Sequence, residues 1–95
     1  MDLTVSARLA ARVRRDFAPD ASEAVLARLE ALDLYLAEKQ SPERIQAAVV
    51  LLAQGDLAKF EHAVGRAERD WRDVLVWSGL GNNWYPVLDA ELGPA

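Results

Sequence analysis

Apolar side chains recur every three or four residues along most of the chain, which is the spacing of one face of an α-helix. The first such row is Val5, Leu9, Val13 and Phe17, and the second is Val25, Leu29 and Leu32, with Leu26 at its flank. The first row predicts a helix from Thr4 or Ser6 to about Asp16, which ends before Pro19 because the residue preceding a proline avoids helical angles. Pro19 then begins a second helix, which ends near Leu32, where the apolar period is lost.

The third segment has the clearest start and the most apolar centre. A helix over about Pro42–Gln54 is predicted, because Ser41 can cap it and Glu43 meets the positive end of the helix dipole. Gly55 supplies the left-handed residue that ends it. Its middle, Ile45–Ala53, is apolar on nearly every side, so other helices must surround it at the centre of the fold.

The fourth segment has two interpretations. Asp56 caps it, and its inward row is Leu57, Phe60, Val64 and Ala67, continued by Trp71, Val74 and Ser78. Two pairs of opposite charges lie four residues apart, Glu68 with Arg72 and Arg69 with Asp73. This spacing favours one long helix from Leu57 to Trp77. The other interpretation is a break near Arg69, after which a new helix begins.

A repeated tryptophan motif favours the break. DWRDVLVW begins at Asp70 and NWYPVLDA begins at Asn83. Each motif is typical of a helix start, with a capping side chain, an aromatic in the first turn and an apolar pair one turn later. The loop SGLGNN separates them, with Gly79 ending one helix and Asn82 or Asn83 capping the last. We prefer this interpretation, in which the tryptophans close the ends of short helices against the central one.

These elements predict an all-α fold in a single domain over residues 1–95. No segment alternates apolar and polar residues for long enough to indicate a strand. The expected architecture is a compact bundle of about five short helices around the helix at Pro42–Gln54.

Composition narrows the class of protein further. The chain has 95 residues, 52% of them apolar, and no cysteine, which excludes disulfides, thiolate metal sites and thiol catalysis. The N-terminus lacks the order of a secretory signal, and no apolar run reaches membrane-span length. We therefore expect a cytoplasmic protein without membrane contact. The net charge of −4 makes nucleic-acid binding unlikely.

Candidate catalytic chemistry is sparse. His62 is the only histidine, and the positions three or four residues away hold no carboxylate: Ala58, Lys59, Gly65 and Arg66. It is therefore predicted to lie on the surface. Ser78 lacks the first glycine of a nucleophile elbow and the strand that precedes it. The sequence predicts a non-enzyme without catalytic, cofactor or metal residues. A small ligand-binding or hydrolytic site built from scattered carboxylates stays open as an alternative.

A row of arginines is the first candidate for binding. Arg8, Arg12 and Arg15 lie at i, i+4 and i+7, so they form one basic stripe opposite the apolar row of the first helix. The stripe could contact a phosphate backbone or an acidic partner, which would make the chain a regulatory or nucleic-acid-associated accessory protein. The alternative is a solvated face that balances the acidic remainder of the domain.

Aromatic residues near the C-terminal end are the second candidate. Trp71, Trp77, Trp84 and Tyr85 fall within fifteen residues. If Trp71 and Trp84 point inward, then Trp77 and Tyr85 lie on other faces, where exposed aromatics make good interface anchors. The leading prediction is a non-enzymatic protein-interaction module that binds a protein partner or its own copy, as a homodimer. The alternative is that all four aromatics only pack against the core.

Three stretches resemble a type of short, Ala/Leu-rich bacterial protein of unknown function. They are SPERIQAAVVLLAQGDLAKF, RDWRDVLVWSGL and the closing WYPVLDAELG, which together cover about the last sixty residues. The resemblance implies a compact helical bacterial protein. It carries over no activity, cofactor or site residue.

Overall fold

The computed structural model describes residues 3–34 and 40–94, and the predicted all-α fold is confirmed. This part of the chain forms six helices and no strand: α1 Ala7–Asp16, α2 Pro19–Glu30, α3 Pro42–Ala53, α4 Leu57–Arg69, α5 Trp71–Ser78 and α6 Trp84–Leu92. The end of α2 near Leu32 is confirmed to within two residues, whereas part of the region in which the apolar period is lost, residues 35–39, lies outside the described residues. None of the six helices is both long and apolar enough to cross a bilayer.

Helices α1 and α2 begin and end where local chemistry requires. The hydroxyl of Ser6 accepts a hydrogen bond from the backbone N–H of Leu9 at 3.3 Å, which caps α1. Pro19 occupies the first position of α2, where its missing N–H leaves no helical carbonyl unpaired. Phe17, between the two helices, packs edge-on against Phe60 of α4 with ring centroids 6.0 Å apart. This contact ties the first helix pair to the rest of the core.

Helix α3 lies at the centre, as predicted. It packs most extensively against α4 and α5, and residues 45–50 together with Ala53 are buried. The enclosure ends at its last turn, where Leu51 and Leu52 are only half-buried. The prediction that all of Ile45–Ala53 is surrounded is therefore wrong at these two residues, whose side chains border a surface cleft.

The turn after α3 approaches the end of α1 closely. Gln54 and Gly55 both take left-handed backbone angles, with φ of 51° and 77°. A Cβ atom on Gly55 would lie 2.6 Å from the backbone oxygen of Asp16, far inside van der Waals contact. Only glycine allows this approach, so Gly55 has a packing role. The left-handed residue that ends α3 is Gln54, so the helix-ending role predicted for Gly55 falls one residue earlier.

The break between α4 and α5 is confirmed. Asp70 leaves the helical region, with φ −151° and ψ 93°, and its carboxylate accepts from the backbone N–H of Arg72 at 3.2 Å. Phe60, Val64 and Ala67 are buried as predicted, but Leu57 is 46% exposed. The inward prediction for Leu57 is wrong, because it lies in the first turn of α4, before that helix reaches the core at Phe60.

The two tryptophan motifs start helices in the same place but by different means. Trp71 and Trp84 are both half-buried against the core. Asp70 caps α5 with its side chain, whereas Asn83 holds the equivalent position before α6 at φ 53° and makes no side-chain capping bond. The predicted asparagine cap is therefore correct in position and wrong in mechanism, since the left-handed backbone turn begins the helix.

One polar side chain lies entirely inside the core. Gln46 of α3 is fully buried, and its Nε2 donates to the backbone oxygen of Leu29 at 3.1 Å. Its Oε1 has no hydrogen-bond partner among the described residues. The hydrogen bond from Gln46 links α3 to the end of α2. Because the site is fully buried, a charged side chain at position 46 should destabilise the fold.

Candidate functional site

The two aromatics predicted to be exposed are exposed. Trp77 has 55% and Tyr85 has 67% of its surface accessible. Val76, beside Trp77 on α5, is also exposed, whereas Val74 and Leu75 of the same helix are buried. Helix α5 therefore anchors itself with one face and presents Trp77 with the other.

Trp77 forms a shared wall between two adjacent clefts, which we call the Trp77 groove. The first cleft has a volume of about 770 Å³ and is lined by Arg12, Arg15, Asp16, Leu51, Leu52, Gln54, Trp77, Ser78 and Glu91. The second has about 430 Å³ and is lined by Leu52, Ala58, Lys59, His62, Ala63 and Trp77. Leu52 and Trp77 line both clefts and form an apolar ridge between them. The first cleft is mostly polar and the second is mostly apolar.

The uncovered last turn of α3 is the floor of this groove. Leu51 and Leu52 are half-buried there, and both line the first cleft. On the α4 side the wall is made by small side chains, Ala58 and Ala63, which leave room beside Trp77. The groove is therefore a consequence of incomplete enclosure of the central helix.

The exposed indole of Trp77 is held in place by a neighbouring charge. The guanidinium carbon of Arg66 lies 5.7 Å from the centroid of the Trp77 ring, within cation–π range. Asp73 fixes Arg66 by accepting from its Nε at 2.9 Å and its Nη2 at 2.6 Å. The indole of Trp77 is thus exposed on the surface and in contact with a guanidinium that Asp73 fixes.

Tyr85 lies in a different environment. Its ring stacks on Trp84 with centroids 3.9 Å apart, and the guanidinium of Arg44 lies 4.9 Å from the Trp84 ring. Tyr85 lines neither cleft of the Trp77 groove. The structure therefore does not bring the two predicted anchor residues together in one cavity, and an interaction through Tyr85 stays a prediction.

Arg8 of the basic stripe is tied into the fold. It donates from Nε and Nη2 to the two carboxylate oxygens of Glu43, at 2.9 and 2.7 Å. Its Nη1 donates to Asp89 at 2.7 Å and to the backbone oxygen of Gly93 at 2.8 Å. The hydrogen bonds to Glu43, and after them that to Asp89, raise the pKa of Arg8. Arg8 therefore joins α1 to α3 and α6.

Arg12 is also paired within the chain, whereas Arg15 is not tightly held. Arg12 donates to Asp16 at 2.9 Å and to the Glu91 carboxylate at 3.1 Å. Burial lowers the pKa of Arg12, but hydrogen bonds to these two carboxylates outweigh it and the net shift is upward. The side chain of Arg15 is 69% exposed and meets Asp16 only at 3.3 Å. A nucleic-acid role for the stripe stays a prediction, but two of its three cations are already neutralised by carboxylates.

The pairing of Glu43 with Arg8 makes a testable prediction about pH. The hydrogen bonds from Arg8, and after them that from the Ser6 hydroxyl, lower the pKa of Glu43 despite its partial burial. The stabilisation is complete above the unfolded pKa of about 4.3 and is lost as pH falls through the lower folded value. We expect Glu43→Gln to destabilise the chain by about 1 to 3 kcal/mol at pH 7, with a smaller difference from wild type at pH 3.

Urea unfolding of both proteins at several pH values measures this difference. Glu23→Gln is the matched control, because Glu23 pairs with Arg14 where both side chains are mostly exposed, and such pairs contribute little. A Glu43→Gln variant as stable as Glu23→Gln at pH 7 would contradict the role given to Glu43.

The positions of His62 and of the carboxylates bear on the alternative of a small ligand-binding or hydrolytic site. His62 is exposed, as predicted, on the edge of the apolar cleft. Across residues 3–34 and 40–94, no group of three or more histidine and carboxylate side chains is arranged to hold a metal ion. Glu43 and Asp89 meet at Arg8, and Asp16 and Glu91 meet at Arg12, so these scattered carboxylates converge on arginines.

Comparison with known proteins adds no relative. No protein-family model, no curated protein sequence and no solved structure matches this chain. The resemblance to short bacterial helical proteins therefore stays a prediction. The Trp77 groove is the basis of the function proposed next.

Proposed function

We propose that this chain is a non-enzymatic protein-interaction module, and that its binding surface is the Trp77 groove. The observation that carries the proposal is an exposed tryptophan, which contacts Arg66 and lines two clefts beside the half-buried leucines of α3. Tryptophan is among the residues most enriched at the energetic centres of protein interfaces.

The geometry of the groove supports this class of function. A partner side chain in the second cleft would contact Leu52, Ala63 and the indole of Trp77, and it would remove their apolar surface from water. Because Arg66 and Asp73 already restrict the indole, little further ordering is needed when a partner binds. The polar first cleft beside it provides the hydrated rim that interface centres commonly have.

A selection from random displayed peptides, with the whole 95-residue chain as bait, tests the proposal. We expect peptides that bind wild type and bind Trp77→Ser at least about tenfold more weakly, since truncating an anchor of this kind costs about 2 kcal/mol or more. Affinities are measured by calorimetry with each synthetic peptide.

Tyr85→Ser is the matched control, because Tyr85 is an equally exposed aromatic outside both clefts. It is expected to leave these affinities unchanged. Equal weakening by both variants would show that binding is not confined to the Trp77 groove and would contradict the proposal. A selection without Trp77-dependent peptides would refute it. Sedimentation at two concentrations shows whether a second copy occupies the groove: a dimer that Trp77→Ser dissociates makes the partner the chain itself.

A further inference from the structure

The charges around the Trp77 groove point to the chemistry of its partner. We propose that the groove binds an amphipathic segment of another protein in which acidic side chains flank an apolar anchor. This inference rests on the proposed function and names the class of partner. It depends on which charges of the groove are already paired and which are left over.

The acidic side chains of the groove are already bound. Asp16 and Glu91 both accept hydrogen bonds from Arg12, at 2.9 and 3.1 Å. They are the two acids that line the groove, and Arg12 lies between them. These three side chains together carry a net charge of −1, and every one of them already has a partner.

Arg15 offsets the negative charge of that trio and still has free hydrogen-bond donors. Its single hydrogen bond runs from Nε to Asp16 at 3.3 Å, and Asp16 is bound more closely by Arg12. The two terminal nitrogens of Arg15 make no hydrogen bond to any described residue, and the side chain is 69% exposed. A guanidinium edge with free donors is the group that best accepts a carboxylate in the bidentate manner.

Lys59 is the cation left over, at the apolar cleft. Its ammonium donates to the amide oxygen of Gln54 at 3.1 Å and forms no ion pair with a described carboxylate. Gln54 also lines the first cleft, so Lys59 and Arg15 belong to neighbouring parts of one surface. The apolar ridge of Leu52 and Trp77 is shared by the two clefts that these cations line.

The net positive charge of the groove lining is opposite in sign to the net charge of the chain. The net charge of the chain is −4, yet the groove lining has three cations and two acids. The negative charge of the rest of the chain repels an acidic segment, whereas the positive charge of the groove attracts it. An acidic segment is therefore directed to the groove and oriented there. A helical segment with an apolar row and flanking Glu or Asp residues complements both features, in the helix-in-groove manner.

The test uses peptides selected on the wild-type chain for dependence on Trp77. We expect them to be enriched in Asp and Glu beside apolar residues. The double variant Arg15→Glu/Lys59→Glu should weaken their binding about tenfold, with a larger effect at low salt. Peptides with their acids replaced by Lys should lose affinity for wild type and recover it on the double variant.

A double variant of equal charge change, Arg14→Glu/Arg69→Glu, is the control, because both arginines are exposed and lie outside the groove. It should leave affinity within about twofold of wild type, since salt screens exposed charges that do not contact the bound peptide. The selected peptides could depend on Trp77 without being rich in acidic residues, and the Arg15→Glu/Lys59→Glu variant could bind them as tightly as wild type. That result would overturn this inference and leave the proposed function standing. A selection without Trp77-dependent peptides would overturn both, and a Trp77-dependent homodimer would replace the foreign segment by a second copy.

Discussion

Replacing Gly55 by alanine is expected to lower the free energy of unfolding by about 2 to 4 kcal/mol. Two effects add at this residue. Its φ of 77° is unfavourable for any residue with a Cβ atom, and that Cβ would lie 2.6 Å from the backbone oxygen of Asp16. A backbone oxygen cannot rotate away as a side chain can, so the α3–α4 turn must separate from the end of α1.

Gly79→Ala is the matched control. Gly79 has nearly the same backbone angle, φ 82°, but no atom lies within 4 Å of the Cβ that alanine would add. Gly79→Ala should lower the free energy of unfolding by about 1 to 2 kcal/mol, the cost of the left-handed backbone angle alone. Urea unfolding followed by circular dichroism measures both variants. Equal losses would show that the approach of the turn to Asp16 contributes nothing to stability.

The second large effect is expected for Gln46→Glu, which keeps the size of the side chain and adds a charge. We expect a loss of about 3 kcal/mol at pH 7. The carboxylate would be fully buried beside the backbone oxygen of Leu29, to which Gln46 now donates. Burial and the facing carbonyl both disfavour the charged form, so the pKa of the introduced acid should rise above about 4.3, its unfolded value.

The sign of the pH dependence follows from that raised pKa. Below about pH 4.3 the acid is neutral in both states and can donate to Leu29, so the variant approaches wild type. As pH rises toward the folded pKa, its stability relative to wild type falls by about 1.4 kcal/mol per pH unit.

Gln46→Met is the control for this effect, because it also removes the hydrogen bond to Leu29 but introduces no charge. Its difference from wild type should be the same at pH 4.5 and pH 7. Unfolding curves of the three proteins at both pH values measure the effect. A Gln46→Glu variant whose loss does not grow with pH would show that water reaches position 46.

The helices and their buried faces could be predicted from the sequence because both depend on residues close together in the chain. Ser41 and Asp56 cap the helices assigned to them, and Gly79 ends α5 in the left-handed region. The two interpretations of the segment after Leu57 could not be separated by charge spacing. The decisive group was Asp70, whose side chain caps α5.

The site could be predicted only in part, because its walls come from distant parts of the chain. Exposure of Trp77 follows from helical periodicity, and it was predicted. The cleft around it needs Leu52 of α3 and Arg15 of α1 in the same place, which no local pattern encodes. The arginine stripe illustrates the same limit: the spacing of Arg8 and Arg12 predicts a common face, but their carboxylate partners on α3 and α6 lie far away in sequence.

The division of α5 into two faces has a consequence for how such a chain can change over generations. Val74 and Leu75 secure this eight-residue helix, while Val76 and Trp77 face solvent. Substitutions at the outward pair can therefore alter what the surface recognises at little expense to folding. Because α5 is short and is separated from α4 by the break at Asp70, we expect substitutions at these two exposed positions to leave the packing of the other helices unchanged.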